Sequence, residues 1–146
     1  MVALAIAGCQ RAPRTTPELQ SLLASEAPPA RAISRDVWSD AQKFYASRNH
    51  EFAWVAGDGP NDVTARAIEV LRHADAHGLE PADYSEPDVR ALHDRLAAGT
   101  HGNTNFAREL AELDVRLTTS LLQLGRHVAV GRLSPKVIDS RWNARR

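Results

Sequence analysis

Residues 106–130, FARELAELDVRLTTSLLQLGRHVAV, contain the longest regular hydrophobic pattern in this chain. Its large apolar side chains recur every three or four positions, at Phe106, Leu110, Leu113, Leu117, Leu121 and Leu124. Since an α-helix has about 3.6 residues per turn, this spacing keeps them on one face for several turns. Gly131 follows at the position of a helix end, and Pro135 prevents continuation. The pattern predicts one long helix, from about Thr104 or Asn105 to Val130, whose apolar face other elements must cover.

Shorter helical segments precede it. Residues 10–33 are interpreted as a linker with one short helix, because a threonine cap and a proline start it and a proline pair stops it. Ser34 can cap a second helix that runs to Ser47. Residues 52–55 form a short apolar strip, the only extended segment that the sequence suggests. We expect an all-α domain over residues 34–146, with four to five helices and short connectors.

Two more helices are predicted in the middle of the chain. The first begins with Asp62 as its cap and ends at Gly78, and its stripe consists of Val63, Ala67, Val70, Leu71 and Ala74. The second begins at Ser85, which forms with Asp88 a pattern similar to a capping box.

The composition excludes several classes of protein. Lys plus Arg and Asp plus Glu each number 18, so the net charge is zero and gives no reason to expect nucleic acid as a partner. A single cysteine rules out an internal disulfide framework and a cysteine-rich zinc site. No apolar run of about 20 residues is available to span a membrane.

No catalytic residue stands out. The sequence has no nucleophile elbow, phosphate-binding loop or zinc-protease motif. His73 and His77 lie four positions apart with Glu69 one turn earlier, a spacing that can bind a metal but needs further ligands. We interpret them as residues of a solvated helix face, and we predict no metal and no cofactor.

The first nine residues end in a recognisable pattern. Ile6-Ala7-Gly8-Cys9 resembles the lipobox of bacterial lipoproteins, although no Lys or Arg precedes the short apolar run. We interpret residues 1–9 as a lipoprotein signal remnant and Cys9 as the lipidated residue. The alternative is an apolar N-terminus with a chance cysteine. The resemblance to a lipobox implies a location on the periplasmic side of the cell envelope, in contact with the membrane only through a lipid anchor.

A wider resemblance covers residues 36–142. Its most specific part is the run His77-Gly78-Leu79-x-Pro81-x-Asp83-Tyr84, and the long helix contributes Glu112 and Asp114 as well as Thr118. The residues that carry the resemblance are Phe44, Tyr45, Arg48, Trp54, His77, Gly78, Leu79, Pro81, Asp83, Tyr84, Thr118, Gly131, Arg132, Pro135 and Trp142. In order and spacing they resemble the scaffold domain of large L,D-transpeptidases.

That resemblance implies a role in cell-wall biogenesis. Enzymes of this family use a cysteine to cross-link peptidoglycan stem peptides, and their helical scaffold domain packs around the catalytic domain without doing chemistry. The Ser-x-Gly-Cys motif of the catalytic domain is missing here, so no catalytic residue is carried over. We expect a scaffold-only portion that is not an enzyme in isolation, with the catalytic domain as its partner in cis and peptidoglycan only as an indirect one. The alternative is a stand-alone periplasmic lipoprotein that binds peptidoglycan or a protein partner.

Overall fold

The computed structural model describes residues 16–29, 32–99 and 105–131. Within these ranges the chain forms five α-helices, α1 (Pro17–Leu23), α2 (Arg35–Ser47), α3 (Thr64–Arg72), α4 (Glu86–Ala97) and α5 (Phe106–Val130). Two strands of two residues each, β1 (Val55–Ala56) and β2 (Gly59–Pro60), pair antiparallel with Val55 opposite Pro60. Two 3₁₀ segments, His73–His77 and Pro81–Tyr84, connect α3 to α4. The predicted all-α class is confirmed, and the extended strip ends in β1.

The long helix α5 is the centre of the fold. The other four helices and the 3₁₀ segment Pro81–Tyr84 all pack against it. Its stripe of leucines is buried at Leu110, Leu113, Leu117 and Leu124. Because burying a leucine side chain contributes about 2 kcal/mol, this face supplies much of the driving force for folding.

Two predicted helix caps are present. The hydroxyl oxygen of Thr16 accepts a hydrogen bond from the N–H of Leu19 at 3.3 Å, at the start of α1. The hydroxyl oxygen of Ser34 accepts from the N–H of Val37 at 3.2 Å, at the start of α2. Each cap satisfies an N–H group that has no partner inside its helix.

The start and the buried face of α3 differ from the prediction. Asp62 is not the cap; the side-chain oxygen of Asn61 instead accepts from the N–H of Val63 at 3.0 Å. Val63 and Val70 are exposed, whereas the predicted Ala67, Leu71 and Ala74 are buried, as are Thr64 and Ile68. The orientation of α3 is explained by Thr64, whose hydroxyl donates to the backbone carbonyl of Trp54 at 2.7 Å, directly before β1. A partly buried carbonyl needs a donor, and this bond accompanies the inward orientation of Thr64.

The predicted capping box at Ser85 is wrong. Ser85 has a φ of +54°, and its side chain makes no capping hydrogen bond to α4. A capping hydroxyl needs an extended backbone, whereas Ser85 closes the preceding 3₁₀ segment in a left-handed conformation. The first turn of α4 instead carries Glu86, which is 5% exposed and accepts a hydrogen bond from Arg90 at 3.0 Å.

Among the described residues, no helix is both long and apolar enough to cross a lipid bilayer.

Candidate functional site

An aspartate lies in the middle of the leucine face of α5. Asp114 falls on the same stripe as Leu110 and Leu117, four positions after one and three before the other, and it is fully buried. A buried carboxyl group costs free energy unless donors surround it. The surroundings of Asp114 therefore show how this part of the molecule is organised.

Three donors converge on the Asp114 carboxyl group. The Tyr45 hydroxyl donates to Oδ1 at 2.6 Å, from the other side of the core. The N–H of Ala53 donates to both oxygens, at 3.0 Å each, and the N–H of Trp54 donates to Oδ2 at 2.7 Å. Asp114 thus fixes the segment before β1 to the central helix and to α2.

Thr118, one turn after Asp114, extends this group. The indole N–H of Trp54 donates to the Thr118 hydroxyl oxygen at 2.9 Å. Thr118 also lies 2.8 Å from the Tyr45 hydroxyl oxygen. Since Tyr45 has one hydroxyl proton and gives it to Asp114, Thr118 must donate to Tyr45. The order of donation is therefore Trp54 to Thr118 to Tyr45 to Asp114, and we call these four residues the buried polar cluster.

Burial also controls the protonation of the buried polar cluster. Removal from water raises the pKa of the Tyr45 hydroxyl far above its ordinary range, and the charge of Asp114 raises it further. Burial raises the pKa of Asp114 too, against the opposing effect of its hydrogen bonds from Ala53, Tyr45 and Trp54. Tyr45 consequently stays protonated and can keep donating.

Two residues outside the buried polar cluster complete the cage around Ala53 and Trp54. Asn61 donates through its side-chain amide to the carbonyl of Ala53 at 3.0 Å. Thr64 donates to the carbonyl of Trp54 at 2.7 Å, and the N–H of Asn61 donates to the same carbonyl at 2.8 Å. Both the N–H and the C=O groups of this short segment are therefore bound by partners, which fixes its path.

Phe44 and Arg48, at the end of α2, lie beside the buried polar cluster. The Arg48 guanidinium is 5.2 Å from the centre of the Phe44 ring, and it donates to the carbonyl of Phe52 at 2.9 Å. The Phe44 ring meets the Tyr45 ring edge to face at 5.3 Å. These contacts hold the turn between α2 and the segment before β1.

The run from His77 to Tyr84 forms a second cluster at the connection of α3 to α4. Gly78 has a φ of +70°, its N–H donates to the carbonyl of Asp75 at 2.9 Å, and the N–H of Leu79 donates to the carbonyl of Ala74 at 3.2 Å. This is the hydrogen-bond pattern of a Schellman motif, which favours glycine. Pro81 starts the following 3₁₀ segment.

Tyr84 ties this connector to the end of α5. It is buried, and its hydroxyl oxygen lies 2.9 Å from Nδ1 of His127. The two rings meet edge to face, with centres 5.7 Å apart. The connector is therefore anchored by a buried aromatic side chain and a polar contact.

The structure separates the sequence-predicted residues into these two clusters. Tyr45, Trp54 and Thr118 meet in the first, and Tyr84 anchors the second. His77 is exposed, and Gly131 ends α5 with a φ of +88°. The predicted residues Cys9, Arg132, Pro135 and Trp142 lie outside the described residues.

Glu69 and His73, whose spacing could suit a metal ion, are both exposed. Glu69 and His73 approach to 3.7 Å on the exposed side of the helix. Across those ranges, no group of three or more His, Cys, Asp and Glu side chains is arranged to hold a metal ion.

Sequence reasoning missed the partners that matter most. The sequence motifs include neither Asn61 and Thr64 nor His127, and they give Asp114 no role beyond its place on the long helix. A signal for Asp114 was available, because a charged residue on an otherwise leucine-lined stripe requires buried donors. The partners themselves are far apart in sequence, and only the tertiary fold brings them together.

A comparison with protein families shows to which family this chain is similar. A family model described as "Scaffold domain" matches residues 39–146, most of the chain. The matched part includes every member of the buried polar cluster and both ends of the contact between Tyr84 and His127. No curated protein and no solved structure matches this chain.

Proposed function

This chain belongs to the family described as Scaffold domain, and from that premise we propose that it is the non-catalytic scaffold portion of an L,D-transpeptidase-like protein of cell-wall biogenesis. Its role is to present a rigid helical surface to the catalytic domain of such an enzyme. It meets peptidoglycan only through that partner.

The observation that supports this proposal best is that the motif residues make hydrogen bonds to one another inside the domain. Tyr45, Trp54 and Thr118, which carry the resemblance to the transpeptidase scaffold, bond to one another and to the buried Asp114. A catalytic group must reach a substrate, whereas the polar atoms of these side chains form hydrogen bonds within the domain. Their chemistry suits holding a fold rather than transforming a ligand.

The first test is for chemistry. We expect the purified chain, incubated with a tetrapeptide donor and an acceptor, to give no 3→3 cross-linked product by mass spectrometry. The reason is that acyl transfer of this type needs a cysteine thiolate, and residues 36–142 contain no cysteine. A cross-linked product that disappears on a single substitution within that range would contradict the proposal.

The second test is for the partner. We expect the chain to bind a separately produced L,D-transpeptidase catalytic domain, measured by calorimetry. Asp114→Ala should weaken this binding because it loosens the presenting surface, and Asp88→Ala, at an exposed position of α4, should leave it unchanged. Binding to isolated peptidoglycan sacculi without binding to the catalytic domain would favour the stand-alone lipoprotein instead.

We also propose that Cys9 carries a lipid that anchors the protein on the periplasmic side of the envelope. The support is the lipobox pattern Ile6-Ala7-Gly8-Cys9. When the chain is expressed behind a functional export signal, the wild type should fractionate with membranes and Cys9→Ser should not. If the two proteins fractionated in the same way, the proposal that Cys9 carries a lipid anchor would be contradicted.

A further inference from the structure

A single peptide group lies between the side chains of Arg48 and Asp114. The carbonyl of Phe52 accepts a hydrogen bond from Nη2 of Arg48 at 2.9 Å. The N–H of the same peptide group, which belongs to Ala53, donates to Oδ1 and Oδ2 of Asp114 at 3.0 Å each. Since this peptide bond is trans, its C=O and N–H point in opposite directions. The guanidinium and the carboxyl group therefore lie at opposite edges of one peptide plane.

The orientation of this peptide group suits both charges. A peptide dipole has its negative end at the carbonyl oxygen and its positive end at the N–H. Here the oxygen faces a cation and the N–H faces a carboxyl group, so each hydrogen bond polarises the peptide group in the sense that strengthens the other. The peptide group therefore transmits the influence of one charge to the other.

The surroundings of Arg48 explain why it needs a negative partner. The residue is partly buried, and its Nε is buried without a hydrogen-bond partner. Its contacts are the carbonyl of Phe52 and the ring of Phe44, whose centre lies 5.2 Å from the guanidinium carbon. Both groups are neutral, and a cation that is partly removed from water is stabilised by a counter-charge. The acid on the other side of the peptide group is Asp114.

The electrostatics of the two acidic groups support this pairing. Burial raises the pKa of Asp114, and the positive charge of Arg48 is among the effects that oppose this rise. Burial also raises the pKa of Tyr45, and Arg48 again acts in the opposite direction. The side chains that act most strongly on Asp114 are thus Tyr45 and Arg48, both from α2, while the segment before β1 contributes backbone N–H groups that do not titrate.

The turn that leads from α2 to this peptide group is strained. Asn49 and His50 both have a φ of +57°, a left-handed conformation that costs free energy in residues other than glycine. Such a backbone persists only where the surrounding structure fixes it. The hydrogen bonds from Arg48 before the turn and to Asp114 on α5 fix the chain directly after it.

We infer that Arg48 and Asp114 form an ion pair through the Phe52–Ala53 peptide group, and that this bridged ion pair stabilises the strained turn between α2 and β1. Arg48 is then a positioning residue that acts through its charge as well as through its hydrogen bond. The inference does not depend on the assignment to an L,D-transpeptidase.

The experiment separates the charge of Arg48 from its hydrogen bond. Arg48→Gln keeps an N–H donor but removes the charge, whereas Arg48→Lys keeps the charge. The carboxyl carbon of Asp114, titrated by NMR, should give an acid dissociation constant at least about threefold lower in Arg48→Gln than in the wild type. Arg48→Lys should stay close to the wild type. The control is Lys43→Gln, which removes a positive charge from an exposed position of α2 and should leave the value unchanged.

A double-mutant cycle tests the effect on stability. At neutral pH, Arg48→Gln should lower the urea midpoint more in the wild type than in Asp114→Asn, because the second protein has no carboxylate for Arg48 to stabilise. Since the loss of Arg48 raises the pKa of Asp114 in the folded state further, the extra loss should disappear below the unfolded pKa. Equal losses in the two backgrounds, or an unchanged Asp114 titration in folded Arg48→Gln, would show that the inference is wrong.

A measurement on the wild type covers the case in which the variants fail to fold. When Asp114 gains a proton, the peptide group between the two side chains changes its polarisation. The guanidinium NMR signal of Arg48 should therefore move with the same midpoint as the carboxyl carbon of Asp114. An Arg48 signal that does not change at this midpoint would overturn the inference.

Discussion

Asp114 illustrates what one charged side chain does on an apolar helix face. Its oxygens accept from two backbone N–H groups and one hydroxyl, and these donors come from α2 and from the segment before β1. A leucine at the same place would bury more apolar area, but it would leave those donors without acceptors. The carboxyl group therefore defines which segments meet at the centre of the core.

The first prediction concerns the loss of this acceptor. We expect Asp114→Ala to lower the free energy of unfolding by about 3 kcal/mol, because it leaves the N–H of Ala53, the N–H of Trp54 and the Tyr45 hydroxyl buried without their acceptor. Asp114→Asn should cost less, since an amide keeps one oxygen. Urea denaturation measures both, and equal losses for the two variants would contradict the role given to the acceptor.

The pH dependence of stability follows from the direction of the Asp114 pKa shift. Burial raises this pKa in the folded state above the unfolded value of about 3.9, so the folded state holds the proton more tightly. Protonation of Asp114 therefore stabilises the folded state. This contribution to the free energy of unfolding is complete below the pKa of Asp114 in the unfolded state, and it is lost as the pH rises through the pKa of Asp114 in the folded state.

The wild type should consequently lose stability relative to Asp114→Asn as the pH rises from about 3.9 through the raised pKa. Urea denaturation of both proteins over a series of pH values gives the difference. A difference that grows with pH in favour of the wild type would show that the hydrogen bonds outweigh burial.

At the scale of elements, some local signals were reliable, whereas the predicted caps at Asp62 and Ser85 were not. The caps at Thr16 and Ser34 and the left-handed glycine at Gly78 follow from neighbouring residues, and all three are present. The predicted stripe of α3 was right at Ala67, Leu71 and Ala74 but wrong at Val63 and Val70. The polar residue Thr64 points inward instead, because its hydroxyl donates to the carbonyl of Trp54. Hydrophobic periodicity does not show that a distant backbone carbonyl requires a hydrogen-bond donor.

Replacement of glycine by alanine should have opposite effects on stability at Gly78 and at Gly125. A Cβ atom would meet nothing within 4 Å at either Gly78 or Gly125, so only backbone conformation decides the outcome. Gly78→Ala should lower stability by about 1 kcal/mol, because alanine disfavours a φ of +70°. Gly125→Ala, inside α5, should raise it by up to about 1 kcal/mol. Thermal melts compare the pair, and shifts of the same sign would contradict the argument.

The connector between α3 and α4 gives a prediction about Tyr84. Tyr84→Ala should lower stability by about 3 kcal/mol because it empties a buried site, and Tyr84→Phe by about 1 kcal/mol because it keeps the ring and removes the hydroxyl that contacts His127. Thermal melts check both values. An unchanged midpoint for Tyr84→Ala, together with lost binding to peptidoglycan or to a catalytic domain, would show that Tyr84 is a contact residue instead.

At the scale of the whole molecule, α5 connects every other helix. The sequence predicted this helix and its leucine stripe, because a 25-residue pattern at helical spacing has no competing interpretation. It did not predict that Tyr45, Trp54 and Asp114 meet, since those contacts span about 60 to 70 residues and depend on how the helices cross. A local pattern can therefore mark Asp114 as a charged residue on a buried face, but it cannot identify the partners of that residue.

The central position of α5 gives the last prediction, which concerns hydrogen exchange. Amides at positions 110–124 of α5 are surrounded by four helices, so they should exchange only when the whole domain unfolds. Amides of α1 need only the release of two leucines and a few hydrogen bonds, and they should exchange much faster. Mass spectrometry of deuterated, digested protein measures both segments, and low denaturant should accelerate α5 in proportion to the surface exposed by global unfolding. If the middle of α5 exchanged as fast as α1, the domain would not be organised around this helix.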